Sequence, residues 1–147
     1  MLKLLKSDNT FLEIFDISLI VADSSNPRKM VKDYMSKCDA FVLNSFTSST
    51  GQKEGTPAVL MEAHASSKPC ISTRHAGISD VVLDGETGFL VNEKDIDATA
   101  SKMLDFVKDR DMCYQMGVKG RRHMETEFDN SKLNDKLVEI YKKLGVS

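Results

Sequence analysis

Two glutamates on either side of a predicted helix start are the residues best placed to bind a polar ligand. Glu54 and Glu62 bound the segment EGTPAVLME. Thr56 is a good N-cap and Pro57 suits the first helical position, so a helix should begin here and carry Glu62 about one and a half turns along. The helix start offers unpaired N–H groups, and Gly55 lets the backbone approach a ligand closely. Two carboxylates flanking such N–H groups suit a ligand rich in hydroxyls and phosphates.

The spacing of these glutamates does not by itself separate function from structure. The chain contains 22 acidic residues, so two carboxylates eight positions apart also arise by chance. A capped helix on the protein surface would explain the same pattern. The surrounding elements must therefore decide between the two interpretations.

Length and composition predict one globular domain over residues 1–147. Hydrophobic residues make up 41% of the chain and charged residues 29%, which is typical of a protein with a packed core. The net charge of −2 provides no basic field, so we expect no nucleic-acid partner. Cys38, Cys70 and Cys113 form no CxxC pair, which argues against a zinc site or a disulfide framework. We expect reduced, buried thiols and a cytoplasmic protein.

Hydrophobic periodicity predicts strands that alternate with helices, followed by a helical C-terminal segment. This order indicates a Rossmann-like parallel sheet with flanking helices. The predicted strands cover residues 16–22, 40–45, 70–73 and 88–91. The predicted helices cover about residues 25–37, 57–67, 80–83, 95–107, 109–126 and 133–144, the last ending at Gly145.

The loops with chemical potential all follow the carboxyl ends of predicted strands. Residues 46–53 lead to Glu54, and Thr73 leads to the tight loop His75, Ala76 and Gly77. Ligands of parallel sheets bind outside the carboxyl ends of the strands. We therefore expect these two loops to form one site.

Three blocks of the sequence occur in an order and at a spacing typical of one family. They are EGTPAVLMEA, KPCISTRHAG and DVVLDGETGFLV, and they follow the segment MVKDYMSKCDAFVLNS. Together they resemble the C-terminal, donor-binding domain of retaining glycosyltransferases of the GT-B fold, the family 4 group. The resemblance covers about residues 27–141, and STRHAG is closest to members that build bacterial exopolysaccharides. It implies a partial GT-B C-terminal domain.

The resemblance also implies an activity, a substrate class and a location. The enzyme would be a hexosyltransferase that moves a hexose from a nucleotide-sugar, UDP-linked, to a saccharide or lipid-linked acceptor in polysaccharide synthesis. It would need no metal and no cofactor, because helix amides and basic side chains take the place of a cation. It would lie in the cytoplasm, with peripheral contact at the inner face of the membrane.

Individual roles follow from the same resemblance. Glu54 would accept hydrogen bonds from hydroxyls of the donor sugar and would stabilise an oxocarbenium-like transition state as the catalytic carboxylate. Glu62 would bind the ribose hydroxyls of the nucleotide. For His75, contact with a phosphate or the sugar and a plain backbone hydrogen bond remain equally open. The remaining donor-binding residues would be Gly55, Thr56, Pro57, Ala58, Val59, Ala76 and Gly77, with the amides of Ala58 and Val59 directed towards the diphosphate.

Some positions depart from the family pattern. Ser79 and Asp80 stand where the family usually has Pro and Glu, and His64 stands where Met is common. His64 is expected to pack within a helix. Arg74 and His123 are expected to be solvated surface side chains.

Other family features are absent before residue 16. No Gly-rich turn with basic residues that would neutralise the leaving diphosphate occurs there, and no acceptor domain is present. We expect an N-terminally truncated, partial nucleotide-sugar-binding domain. The alternative is a non-catalytic nucleotide-binding or interaction module derived from such an enzyme.

The strand at 16–22 would lack a neighbour in the family's strand order. Exposed strands of this type pair with other chains. We therefore predict a homodimer through this strand, which a monomeric elution profile on size-exclusion chromatography would contradict.

The isolated chain is predicted not to turn over, because a diphosphate without neutralising cations is a poor leaving group. A transfer assay with a nucleotide-sugar and the 147-residue chain checks this expectation. Robust turnover would show that the residues present are sufficient for the reaction.

Overall fold

A computed structural model of the protein describes residues 34–47, 55 and 57–145. The predicted strand at 16–22, Glu54, Thr56 and most of the predicted helix at 25–37 lie outside the described residues. Residues 34–37 are helical, in agreement with the last turn of that predicted helix.

The described part of the chain contains a three-stranded parallel sheet. Its strands are β1 (Phe41–Leu43), β2 (Cys70–Thr73) and β3 (Gly88–Val91), in the spatial order β1-β2-β3. The central strand places Ile71 opposite Val42 on one side and Phe89 on the other. The three predicted strands and their parallel arrangement are confirmed.

Besides residues 34–37, five helices accompany the sheet within the described residues. The predicted helices that correspond to these five are confirmed with shifts of up to a few residues at their ends. Asp95, Asp109 and Asp129 each cap a helix by accepting a backbone N–H, which explains where the last three helices begin. The helices are α1 (Ala58–Ala65), α2 (Ile78–Val81), α3 (Ile96–Lys108), α4 (Arg110–Glu127) and α5 (Asn130–Lys143).

Helices cover both faces of the sheet because the strands alternate their side chains between two cores. Cys70 and Leu90 belong to a core with α1, α2 and the end of α4, whereas Ile71 and Phe89 belong to a core with α3 and the start of α4. β2 is therefore buried on both sides. Its continuously buried pattern is typical of the centre of a parallel sheet.

The predicted start of α1 is displaced by one residue. Pro57 is the N-cap, with ψ of 118°, and the helix begins at Ala58. The carbonyl of Pro57 accepts the Leu60 N–H at 3.0 Å, so proline closes the first turn from outside the helix. The prediction put Pro57 at the first helical position because the fixed φ of proline suits that position as well as the N-cap. α2 likewise begins at Ile78, two residues before the predicted start.

α1 ends in a left-handed turn before the predicted break at Lys68 and Pro69. Ser67 adopts φ of 57° and donates its N–H to the His64 carbonyl, while the Lys68 N–H reaches back to the Ala63 carbonyl. These two bonds satisfy carbonyls that the last helical turn leaves without partners. The chain is thereby directed straight into β2.

α1 and α4 pack closely because α4 presents glycine at both contact points. A Cβ on Gly117 would lie 2.2 Å from the Ser67 carbonyl oxygen, and one on Gly120 would lie 2.4 Å from His64 Nδ1. His64 is fully buried there, and its Nδ1 lies 3.0 Å from the Lys68 carbonyl. Burial lowers the pKa of His64, which favours a neutral ring. Its predicted packing role is confirmed.

The prediction for His123 is wrong. Its ring is half-buried, its Nε2 lies 2.9 Å from the Asp80 carbonyl, and it meets Phe128 edge-on. The short basic run Arg121, Arg122 and His123 suggested a solvated face. Two residues rotate a helix by about 200°, so the third residue of that run faces away from the first and contacts α2 instead.

The last helix differs from the others because none of its residues is buried. Its apolar side chains include Leu133, Leu137, Ile140 and Tyr141, all of which are exposed. The predicted stop at Gly145 is confirmed, since this glycine has φ of 73°. No helix in the described ranges combines the length and apolar character needed to cross a membrane.

The three cysteines are free and buried, as predicted. Burial raises the pKa of the Cys113 thiol to about 11 and raises that of Cys70 further from its ordinary value. The pKa of Cys38 is also raised by burial. These thiols are protonated and unreactive at neutral pH.

Replacing Gly117 by Ala should destabilise the protein by about 1–2 kcal/mol. Overpacking against a backbone carbonyl costs about 1–3 kcal/mol, which outweighs the gain of about 1 kcal/mol from better helix propensity. Urea denaturation measures the change in the free energy of unfolding. Lys119→Ala, an exposed change on the same helix, is the control and should stay within about 0.5 kcal/mol. Equal stabilities of the two variants would contradict the packing account.

Candidate functional site at the carboxyl edge of the sheet

The parallel register brings the loops after β1, β2 and β3 to one edge of the sheet. Residues 44–47 follow β1, residues 74–77 follow β2, and Asn92 and Glu93 follow β3. The predicted convergence of loops at this edge is therefore present for the described residues. The third contributor, Glu93, was not expected.

A threonine hydroxyl extends the pairing of β1 and β2 beyond the last backbone ladder. Thr73 Oγ1 accepts the Ser45 N–H at 3.1 Å and donates to the Ser45 carbonyl at 2.6 Å. Both residues are buried. The Thr73 hydroxyl thereby provides hydrogen bonds to two buried backbone groups beyond the end of the strand, the N–H and the carbonyl of Ser45. This contact fixes the first residues of the loop after β1.

Glu93 joins the loops after β1 and β2. Its Oε2 accepts the Thr47 N–H at 2.9 Å and its Oε1 accepts the Thr47 hydroxyl at 3.1 Å. The same Oε1 lies 2.7 Å from Nδ1 of His75. Lys94 and Phe46 form a contact between the loops after β3 and β1, with the ammonium 5.9 Å from the ring centroid.

The environment of Glu93 favours its ionised form. The Thr47 backbone N–H and then the His75 ring lower the pKa of Glu93 to about 2, against a small opposing effect of burial. At neutral pH the carboxylate is therefore charged and acts as an acceptor. Hydrogen bonds to a charged acceptor are stronger than bonds between neutral groups.

Among the described residues the His75 side chain makes no hydrogen bond to the backbone, which was one of the two alternatives left open for it, and it is almost fully shielded from solvent. The side chain is 1% exposed, and Nδ1 bonds to a carboxylate instead. Its Nε2 is buried and has no hydrogen-bond partner within the described ranges. Buried polar atoms are almost always paired, so Nε2 is a position where a further group could bind. Contact of His75 with a donor group stays a prediction.

Within the tight loop after β2, Ala76 and not Gly77 adopts the left-handed backbone conformation. Ala76 has φ of 43°, whereas Gly77 has φ of −80°. Ala76 is exposed and Gly77 is half-buried. A non-glycine residue in this region is strained, and the neighbouring contacts must hold it there.

The α1 side of the predicted site is described from Pro57 onwards. Pro57 is buried, Val59 is half-buried, and Ala58 and Glu62 are exposed on the helix. Gly55 is exposed, and a Cβ built on it would meet nothing within 4 Å. Glu54 and Thr56 lie outside the described residues, so the pairing of Glu54 with Glu62 stays a prediction.

Arg74 is exposed, as predicted, but it is not free. Its guanidinium pairs with Asp84, whose other oxygen accepts the Leu90 N–H at 2.9 Å. Arg74 therefore supports the turn before β3. Across the described ranges no group of three His, Cys, Asp or Glu side chains could hold a metal ion.

Comparison with known proteins identifies the class to which this chain belongs. The model of the family "Glycosyl transferases group 1" matches residues 18–123, and the chain belongs to that family. The resemblance stated from the sequence is thus confirmed.

Two relatives are named for polysaccharide synthesis. One is named a colanic acid biosynthesis glycosyltransferase, WcaL of Salmonella typhimurium, with 32% identity over 133 residues. Another is the amylovoran biosynthesis glycosyltransferase AmsK of Erwinia amylovora, with 32% identity over 119 residues. The alignments cover 89% and 81% of this chain but 33% and 29% of the relatives. The chain therefore spans about a third of their length.

Solved structures of GT-B glycosyltransferases share the fold. Sucrose-phosphate synthase from Thermosynechococcus elongatus aligns with a TM-score of 0.66 and 23% identity, over 79% of this chain and 28% of that one. Anabaena Alr3699/HepE in complex with UDP aligns with a TM-score of 0.67 and 21% identity, over 79% of this chain and 30% of that one. The predicted α/β, GT-B-type fold is confirmed.

The Glu93 network should make the stability of the protein depend on pH in acid. The folded pKa of about 2 lies below the ordinary value of 4.5, so the contribution is complete above pH 4.5 and is lost as the pH falls towards 2. We expect the free energy of unfolding of the parent chain to fall more steeply across that window than that of Glu93→Gln.

Urea denaturation at a series of acid pH values measures this difference. The control is Glu86→Gln, which alters an exposed carboxylate in the turn before β3 and should follow the parent. If the free energy of unfolding depends on pH in the same way for the parent and Glu93→Gln, the hydrogen bonds to the carboxylate do not stabilise the folded protein.

Proposed function

We propose that this chain is the donor-binding part of a retaining glycosyltransferase that transfers a hexose from a nucleotide-sugar, UDP-linked, to a saccharide or lipid-linked acceptor in polysaccharide synthesis. The observation that carries the proposal is the meeting of three polar loops at the carboxyl edge of a parallel sheet, in a chain that belongs to the group 1 glycosyltransferases. The names of the relatives support the polymer product, since they refer to colanic acid and amylovoran biosynthesis.

A uridine nucleotide is supported by the solved neighbours and by the start of α1. HepE was solved in complex with UDP-glucose and in complex with UDP. In this chain, the N–H groups of Ala58 and Val59 belong to the first turn of α1, where helix geometry provides no partner within the helix. Such groups bind phosphate oxygens, and the helix dipole favours negative charge at the same end.

The two carboxylates would bind different parts of the donor. Glu62 is exposed on α1, where it can accept hydrogen bonds from ribose hydroxyls. Glu54 would accept hydrogen bonds from the sugar and stabilise positive charge that develops at its anomeric carbon. Gly55, Thr56 and Pro57 would line the sugar pocket, and Ala76 and Gly77 would close it. His75 would offer Nε2 to the donor, which supplies the partner that this buried atom lacks among the described residues.

The acceptor side, the location and the assembly state also belong to this proposal. The saccharide or lipid-linked acceptor would bind a domain that these residues do not contain. A cytoplasmic site, peripheral to the inner face of the membrane, is supported by three free thiols and by the exposed apolar side chains of α5. The requirement for no metal and the homodimer through residues 16–22 remain predictions from the sequence.

Titration of the 147-residue chain with UDP by calorimetry tests the proposal. We expect binding in the micromolar to millimolar range, and a loss of about 10-fold or more in Glu62→Ala, because hydrogen bonds from ribose hydroxyls to a carboxylate are removed. Glu86→Ala is the control, since Glu86 is also exposed but precedes β3 at the opposite edge of the sheet.

Each outcome of the titration decides between the candidate roles. Binding that depends on Glu62 supports the donor site. Binding that is equal in both variants would contradict the role of Glu62. Absence of binding up to several millimolar would favour an interaction module without a nucleotide.

A further inference from the structure

We propose that Glu93 is a positioning residue that holds the two loops of the donor site in one relative geometry. This inference rests on the proposed function, because the two loops matter as parts of a donor site. Glu93 lies in neither loop and is not among the residues expected to touch the donor. It acts through Thr47 on one side and His75 on the other.

The geometry of the contact makes Glu93 a link between distant parts of the chain. Thr47 lies 46 positions before it and His75 lies 18 positions before it. Glu93 follows the end of β3, which pairs with β2 and lies one strand beyond it from β1, so the carboxylate reaches the loop after β2 from the neighbouring strand and the loop after β1 across β2. One carboxylate therefore connects the ends of all three strands.

The contact to Thr47 fixes both the position and the orientation of that residue. The backbone N–H and the side-chain hydroxyl of Thr47 bond to different oxygens of the same carboxylate. Two bonds from one residue to a planar acceptor leave little freedom of rotation. Thr47 is also the last described residue before the segment that leads to Glu54.

The contact to His75 places a charge against a buried ring. The His75 side chain is almost fully buried, whereas Glu93 is partly exposed. Loss of the carboxylate would leave Nδ1 buried without its partner, which is costly because Nε2 is unpaired among the described residues as well. The ring, and with it the loop that continues to Ala76 and Gly77, depends on the carboxylate for its orientation.

Hydrogen exchange measured by NMR tests the link directly. In Glu93→Ala we expect the amide of Thr47 to exchange about 10-fold faster or more, because its acceptor is gone. Amides of the central strand, such as that of Ile71, should keep the protection that they have in the parent chain. Glu86→Ala is the matched control and should leave both amides unchanged.

Titration with UDP then measures the consequence for binding. We expect Glu93→Ala to weaken UDP binding about 10-fold, and Glu93→Gln to lie between it and the parent, because the amide oxygen of glutamine can still accept from Thr47. Thr47→Val should weaken binding more than Thr47→Ser, since only serine keeps the hydroxyl. The Thr47 pair keeps the test decisive if Glu93→Ala fails to fold.

The outcomes separate this inference from the proposed function. Faster exchange at Thr47 together with weaker UDP binding supports the positioning role. Unchanged exchange at Thr47 in folded Glu93→Ala would overturn it, as would unchanged UDP binding in that variant. If the parent chain does not bind UDP, the proposed function fails, and the exchange at Thr47 alone decides whether Glu93 links the loops.

Discussion

The parallel pairing of β1, β2 and β3 is the constraint on which the site depends. Because the strands run in the same direction, their carboxyl ends meet at one edge, and every loop that leaves this edge begins close to the others. Burial of β2 on both faces stabilises this arrangement, since its four residues are covered by two separate cores. The apolar layers thus determine where the polar loops begin, although they do not determine where those loops end.

Polar contacts at the edge determine the rest of the loop geometry. Thr73 fixes the backbone at Ser45, two residues past the end of β1, and Glu93 fixes Thr47 two residues further along the chain. Together these two contacts fix the backbone of the loop after β1 at two of its residues. The loop after β2 is fixed by the contact of the His75 ring with Glu93. This contact helps to hold the next residue, Ala76, in its strained backbone conformation.

The sequence was sufficient to predict the helices and strands of the described residues and their order, but it did not predict the contacts between the loops. Continuous apolar runs such as AFVL predict a buried strand from local information alone. The role of Glu93 depends on which loops meet, and this requires the register of three strands that lie far apart in the chain. The signal was nonetheless present: Glu93 follows the third buried strand in the same way as His75 follows the second. His123 was misjudged for a related reason, because a helical face is solvated or buried according to its neighbours and not its own charge pattern.

The candidate site therefore has two supports that arise from different physics. Glu62 and the start of α1 are positioned by helix packing, in which Gly117 and Gly120 let α4 approach α1 at contact distances that a Cβ would not permit. The loops after β1 and β2 are positioned by a charged carboxylate in a partly exposed setting. Both supports weaken in acid, because protonation of the buried His64 ring, whose pKa is lowered by burial, opposes the packing of α1 against α4, and protonation of Glu93 weakens the carboxylate network. Salt distinguishes the two supports, because it screens the partly exposed carboxylate but not the packing of α1 against α4. Binding of UDP would draw on both, through Glu62 and the start of α1 on one side and through the loop of His75 on the other.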